Sequence, residues 1–182
     1  LSIVDLSPAG HMPMSNEDGT VWITFNGEIY NHAKLRVDLE KRGHRYRSHT
    51  DTETIIHLYE ELGERCVEKL NGMFAFAIWD ERKRQLLLAR DQLGKKPLYY
   101  WRDNDRLVFA SEIKALLRHP QVPRQPDFTA IYHYLSLSVT PAPRTAFAGI
   151  NKLAPALTLR IDAEGHETPR EYWSPFDGPC VP

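Results

Sequence analysis

The sequence predicts an α+β fold in which two stacked β-sheets carry helices on their outer faces. Three observations lead there. MFAFAIWD, residues 73–80, is apolar almost without alternation, as in a strand covered on both faces. Short strand-like runs follow it one after another, and no regular helix separates them, which argues against a doubly wound parallel sheet. Helical patterns lie before and after this block, at SHTDTETIIHLYEELG and SEIKALLRH.

The elements read in order as follows. LSIVDL at the start is a short apolar strand, and SPAGHMPMSNEDGT is a loop with an Asp-Gly turn. VWITF, residues 21–25, is a strand. Residues 31–42 form an amphipathic helix, with Leu35 and Leu39 one turn apart and Gly43 as its stop. The next helix has the clearest start: Thr50 and Glu53 fit a capping box, which puts Asp51 in the first turn, and Ile55, Leu58 and Leu62 form the apolar stripe. RQLLLARD, KPLYYW and LVFAS extend MFAFAIWD into a meander. SEIKALLRH is a helix capped by Ser111, and DFTAIYHYLSLS is another helix. VTPAPRTAFAGINKLAPA is a Pro-rich connection. LTLRIDAEGHETPREYW is a final hairpin turning at Glu164-Gly165, and SPFDGPCVP is a linker.

The totals narrow the function classes. The 182 residues suffice for one domain with a sizeable core. A net charge of −1 with mixed signs offers no nucleic-acid or membrane surface, and no apolar run is long enough to span a bilayer. The opening residues lack the basic segment of a signal peptide. Two distant cysteines, Cys66 and Cys180, make no disulfide framework, so a reducing, cytoplasmic setting is expected. Cys66, on a helix beside Val67 and Leu70, reads as a small buried side chain. Glu53 and His57 share a helix face at i and i+4, a spacing that can hold a metal; no third ligand is legible nearby, and no metal site is expected. Lys95 and Lys96 in LGKKP lack the other residues of a phosphate loop and read as a solvated turn.

FNGEIYN, residues 25–31, carries the chemistry. Asn-Gly between two runs is a strong hairpin signal. The same residues can also place the Asn26 amide NH2 beside the Gly27 N–H, two converging donors of the kind an oxyanion hole needs, with the acid Glu28 directly after. The residues alone leave both readings open.

LSIVDLSPAG, MPMSNEDG, FNGEIYN, TDTE, LNGMFAFAIWD, RDQLGKKPLYY and FASEIKALL occur in this order. Together they resemble the glutamine amidotransferase domain of glutamine-hydrolysing asparagine synthetases, over residues 1–173, with 174–182 as a linker toward a synthetase domain. The resemblance implies the four-layer αββα sandwich of the N-terminal-nucleophile hydrolases. It also implies a reaction: an N-terminal cysteine attacks the glutamine side-chain amide, ammonia leaves, and water hydrolyses the thioester. Asn26 and Gly27 correspond to the oxyanion hole, Glu28 and Asp51 to the partners of the substrate α-ammonium. The backbone of Leu1, Ser2, Ile3 and Val4 corresponds to the strand beside the substrate.

Position 1 is Leu, and neither cysteine matches the nucleophile position. The resemblance therefore implies that the nucleophile lies upstream of Leu1 and that these 182 residues alone are inactive. It implies glutamine as substrate, a synthetase domain of the same polypeptide as partner, no cofactor for this domain, and ATP with Mg for the synthetase domain. Homodimerisation stays open. Two alternatives are a non-catalytic assembly or regulatory domain, and the glutaminase-like domain of a related ATP-dependent amide-forming enzyme.

Overall fold

The computed structural model describes residues 10–176. The opening strand LSIVDL and the last residues of the linker therefore lie outside the described residues. The described residues form two compact units, one of residues 10–96 with 156–176, the other of residues 97–155.

Among the described residues, the first unit is built on a six-stranded antiparallel sheet. Its strands are β1 (Met14–Ser15), β2 (Val21–Ile29), β3 (Gly72–Asp80), β4 (Gln85–Arg90), β8 (Leu157–Ile161) and β9 (Glu167–Glu171), in that spatial order. Helices α1 (His32–Lys41) and α2 (Asp51–Leu62) and a 3-10 segment, Gly63–Lys69, connect β2 to β3. β2 alternates strictly: Val21, Ile23, Phe25, Gly27 and Ile29 are buried, and the residues between them are exposed or half-buried. Ile23 and Phe25 join Phe74, Phe76 and Ile78 of β3 in a core closed by Leu39 of α1, Ile55, Ile56 and Tyr59 of α2, and Cys66 and Val67. β3 sits between β2 and β4, and its residues 74–78 are all buried, as the apolar run demands.

The second unit holds a three-stranded antiparallel sheet in the order β6 (Leu107–Ala110), β5 (Tyr99–Arg102), β7 (Ile150–Lys152). Helix α3 (Ile113–Leu116) supplies Leu116 to a core with Trp101, Val122 and Ile150. Helix α4 (Phe128–Leu137) is capped by Asp127, whose carboxylate accepts the Ala130 N–H at 3.0 Å.

Several expectations need correction. β2 does not stop at Asn26-Gly27; it runs to Ile29, with Asn26 opposite Ala75 and Gly27 opposite Phe74. There is no hairpin turn there. The meander is interrupted, because β4 and β5 belong to different sheets. β7 lies inside the stretch read as a Pro-rich connection, and β1 inside the first loop. Cys66 sits on a 3-10 segment rather than an α-helix. Glu112, not Ser111, is the N-cap of α3. The capping box is half formed: the Thr50 hydroxyl accepts the Glu53 N–H at 3.2 Å, while the Glu53 carboxylate turns to the N–H groups of Arg47 (2.7 Å) and Ser48 (2.8 Å).

That turning matters for α2, whose residues 51–59 are all buried. Burial raises the Glu53 carboxyl, but the His57 imidazole beside it and hydrogen bonds from Ser48 and Arg47 outweigh burial and hold the group at about 2. Burial likewise disfavours charge on His57, yet Glu53 and Glu60 push its imidazole up to about 9.

Candidate active site

The C-terminal end of β2 gathers the residues singled out in the sequence. Asn26 and Glu28 are two apart, so they share the face of β2 opposite to the helices, both half-buried. Gly27 faces the helix side and is buried. Its role there is close approach. A Cβ on Gly27 would lie 2.1 Å from the Met73 carbonyl oxygen and 2.8 Å from Phe74 Cα. Gly72 is its counterpart on β3, where a Cβ would lie 2.2 Å from the Glu28 carbonyl oxygen. Two backbones pass each other at a distance that only glycine at both positions permits.

Asp51 reaches the same strand end from α2. Its Oδ2 accepts the Ile29 N–H at 2.9 Å, one residue beyond Glu28. Asp51 is 4% exposed, and burial raises its carboxyl above the usual carboxylate value, against the opposing pull of the Ile29 N–H and nearby His32. A buried carboxylate under that strain gains from a cationic partner. The structure thus brings Asn26, Gly27, Glu28 and Asp51 together at one end of β2. Leu1, Ser2, Ile3 and Val4 lie outside the described residues.

Cys66 is 0% exposed, and burial pushes its thiol up to about 12. A thiol held protonated in the core is no nucleophile.

Sequence reading missed the loop after β4. The Asp91 carboxylate, 1% exposed, accepts four backbone N–H groups: Leu93 and Lys95 on Oδ1 (3.1 and 2.9 Å), Phe74 and Lys96 on Oδ2 (3.2 and 2.9 Å). Arg90 closes the loop by donating from Nε to the Lys96 carbonyl and from a terminal nitrogen to the Gly94 carbonyl, each at 2.7 Å. The Lys95-Lys96 turn is thus an organised loop folded around one carboxylate. It forms a wall of a pocket of about 320 Å³ that Tyr30, Gly72, Gln92 and Trp173 also line. The signal available was an Asp three residues before a Gly, the pattern of a side chain that bonds its own following backbone.

The strand end thus carries an amide donor, a glycine backbone and two acids, and comparison with known proteins gives the family. Residues 1–173 match the family described as a glutamine amidotransferase domain, and the chain belongs to that family. Its curated relatives include the glutamine-hydrolyzing asparagine synthetase 3 of Bacillus subtilis, 40% identical over 177 residues, which cover 96% of this chain and 28% of that protein. The glutamine-hydrolyzing asparagine synthetase 3 of Arabidopsis thaliana is 49% identical over 117 residues, covering 64% of this chain and 20% of that protein. The chain thus spans about a quarter of the length of such relatives. Among solved structures, the glutamine phosphoribosylpyrophosphate amidotransferase of B. subtilis superposes with a TM-score of 0.57 at 22% identity, over 88% of this chain and 31% of that one. A glutamine aminotransferase class-II domain protein of Silicibacter pomeroyi gives 0.55 at 16% identity, over 91% of this chain and 72% of that one. These likenesses establish the fold class as α+β of the N-terminal-nucleophile hydrolase type.

Proposed function

We propose that this chain is the glutaminase half of an asparagine synthetase-like enzyme. It hydrolyses glutamine to glutamate and ammonia, and a synthetase domain of the same polypeptide uses the ammonia in ATP-dependent amidation of aspartate. The attacking thiol in this reading belongs to a residue upstream of Leu1. The 182 residues alone therefore release no glutamate. ATP and Mg belong to the synthetase step; glutamine hydrolysis uses neither.

The observation that carries the reading is the Asp51–Ile29 bond, which sets a buried acid one residue past Glu28 at the end of the strand bearing Asn26 and Gly27. The roles follow from charge. Attack on the amide places negative charge on its oxygen, and the Asn26 NH2 with the Gly27 N–H stabilises it. Glu28 and Asp51 hold the α-ammonium, which relieves the buried charge of Asp51. Helix α4 supports the partner. Phe128, Tyr132 and Leu135 form a stripe at i, i+4 and i+7 that is 77%, 68% and 77% exposed, apolar surface for a further domain to cover.

The test uses the whole enzyme. Asn26→Ala lowers kcat for glutamine about 10²-fold with a smaller change in KM, because its donor meets charge that exists only after attack. Synthesis driven by added ammonia bypasses the site and stays intact. Loss of both activities together would make Asn26 a structural residue and overturn the reading.

A further inference from the structure

Away from the β2 strand end, His44, His57 and Glu60 converge. His44 Nδ1 and His57 Nδ1 are 3.0 Å apart, His57 Nδ1 is 3.0 Å from Glu60 Oε2, and His44 Nδ1 is 3.6 Å from the same oxygen. The geometry points to a binding site for a divalent cation of the zinc type, with these three side chains as ligands.

The distances carry it first. Ligand bonds of about 2.0–2.1 Å in a tetrahedron put neighbouring donor atoms about 3.3 Å apart. The observed triangle of 3.0, 3.0 and 3.6 Å brackets that value. Three protein donors leave a fourth position for water.

The surroundings carry it further. Metal-binding histidines are held by carboxylates on the nitrogen that does not bind, and ligand carboxylates are themselves hydrogen-bonded. Two of the three ligands, His44 and Glu60, have such a support, and a carboxylate lies near the third. His44 Nε2 meets Glu61 Oε1 at 3.1 Å, and His57 Nε2 faces Glu53 Oε1 at 3.8 Å. Glu60 Oε1 accepts from the Asn16 amide at 2.9 Å. His57 is 1% exposed, and Tyr46 packs edge-on against its ring. Among the described residues, the other group of similar composition, Asp162, Glu164 and His166, lacks this setting: it lies in the exposed β8–β9 turn, and His166 is 77% exposed.

The site fastens the segment after α1, which carries His44, to the middle of α2, which carries His57 and Glu60. A cation there holds in place the helix whose first residue is Asp51. This inference stands apart from the glutaminase reading, because it needs neither substrate nor nucleophile.

The test is metal binding by the chelator-stripped 182-residue chain. Calorimetry with Zn2+ gives one equivalent with micromolar or tighter affinity, and Co2+ gives the intense visible bands of tetrahedral nitrogen-oxygen coordination. His44→Gln and Glu60→Gln each weaken binding at least about 10-fold, and Glu61→Gln about 10–100-fold. Asp162→Asn leaves it unchanged. Zn2+ raises the Tm of the parent chain and not that of Glu60→Gln, whose side chain is partly exposed and whose loss the fold tolerates. Three results would each overturn the site: no saturable binding, binding that survives both ligand variants, or binding lost with Asp162→Asn. In the first case the 3.0 Å contact is a hydrogen bond between imidazoles.

Discussion

Asp51 Oδ2 accepts the N–H of Ile29 at 2.9 Å, so the first residue of α2 is fastened to the last residue of β2. The bond gives Asp51 two separable tasks, anchoring a strand and presenting charge. Asp51→Asn keeps an oxygen for Ile29 and removes the charge. In the whole enzyme, Asp51→Ala raises KM for glutamine by about 10–100-fold, the worth of one charge-assisted hydrogen bond, with kcat less affected. Asp51→Asn restores stability and leaves KM high. Rescue of KM by Asn, read from steady-state kinetics and direct glutamine binding, would assign Asp51 to anchoring alone.

Gly27→Ala drives a methyl group into the Met73 carbonyl. The neighbour is backbone, so relief requires β2 and β3 to part. The expected cost is about 3 kcal/mol, at the upper end for overpacking, read as a lower urea midpoint. Gly72→Ala, which meets the Glu28 carbonyl, has the same outcome. A near-neutral result at either position would show that the pair of strands has slack.

Asp80 predicts a pH dependence. It is 3% exposed and accepts the Tyr59 hydroxyl at 3.0 Å and the Lys83 N–H at 2.9 Å. Burial raises its carboxyl, but the bonds from Lys83 and Tyr59 outweigh burial and hold it below the usual 3.8. A carboxyl lowered on folding stabilises the native state above its unfolded value, and the benefit fades as pH falls through the native value. Asp80→Asn is therefore destabilised by about 2 kcal/mol at neutral pH, with the gap to the parent chain closing below about pH 4. Thermal unfolding across that range checks it. A gap that persists in acid would mean lost packing rather than lost charge.

Asp91→Asn fails where Asp51→Asn succeeds. Both Asp91 oxygens are acceptors for two N–H groups each. An amide NH2 in place of either oxygen points a donor at two donors. The expected loss is about 3 kcal/mol or more, with Asp91→Ala no worse than Asp91→Asn. Denaturant unfolding of the two variants side by side distinguishes this from simple loss of volume, which would make Ala clearly the worse.

How much of this was legible in the chain follows from how local each cause is. Thr50 capping α2 is a three-residue relationship, and the sequence displays it. The buried run at residues 74–78 is a statement about composition, equally visible. The continuation of β2 through Asn26 and Gly27 was not, because those residue types favour turns. Only the pairing with β3, 49 positions away for Asn26 and 47 for Gly27, reveals glycine as a close-approach residue instead. β7 was hidden because a three-residue strand among prolines has no period to detect. Glu53 and His57 drew attention through their helical spacing. The partners that converge on His57 are Glu60, on the same helix but at i+3, and His44, brought in from before the helix by the fold. The residues alone leave the role of Asn26, Gly27 and Glu28 open, and resemblance assigns it together with that of Asp51; the strand end that gathers them comes from tertiary structure.

The paired glycines have a genetic consequence. A core clash between side chains can be relieved by trimming the opposing side chain, so second-site revertants are ordinarily found across the contact. Gly27 and Gly72 each face main-chain oxygen, which no codon change can trim. A selection for restored activity in Gly27→Ala or Gly72→Ala should return true reversions to glycine and stabilising changes scattered elsewhere, with no compensating substitution at Met73, Phe74, Glu28 or Ile29. This strand end is a place where the sequence has lost its freedom to drift in pairs.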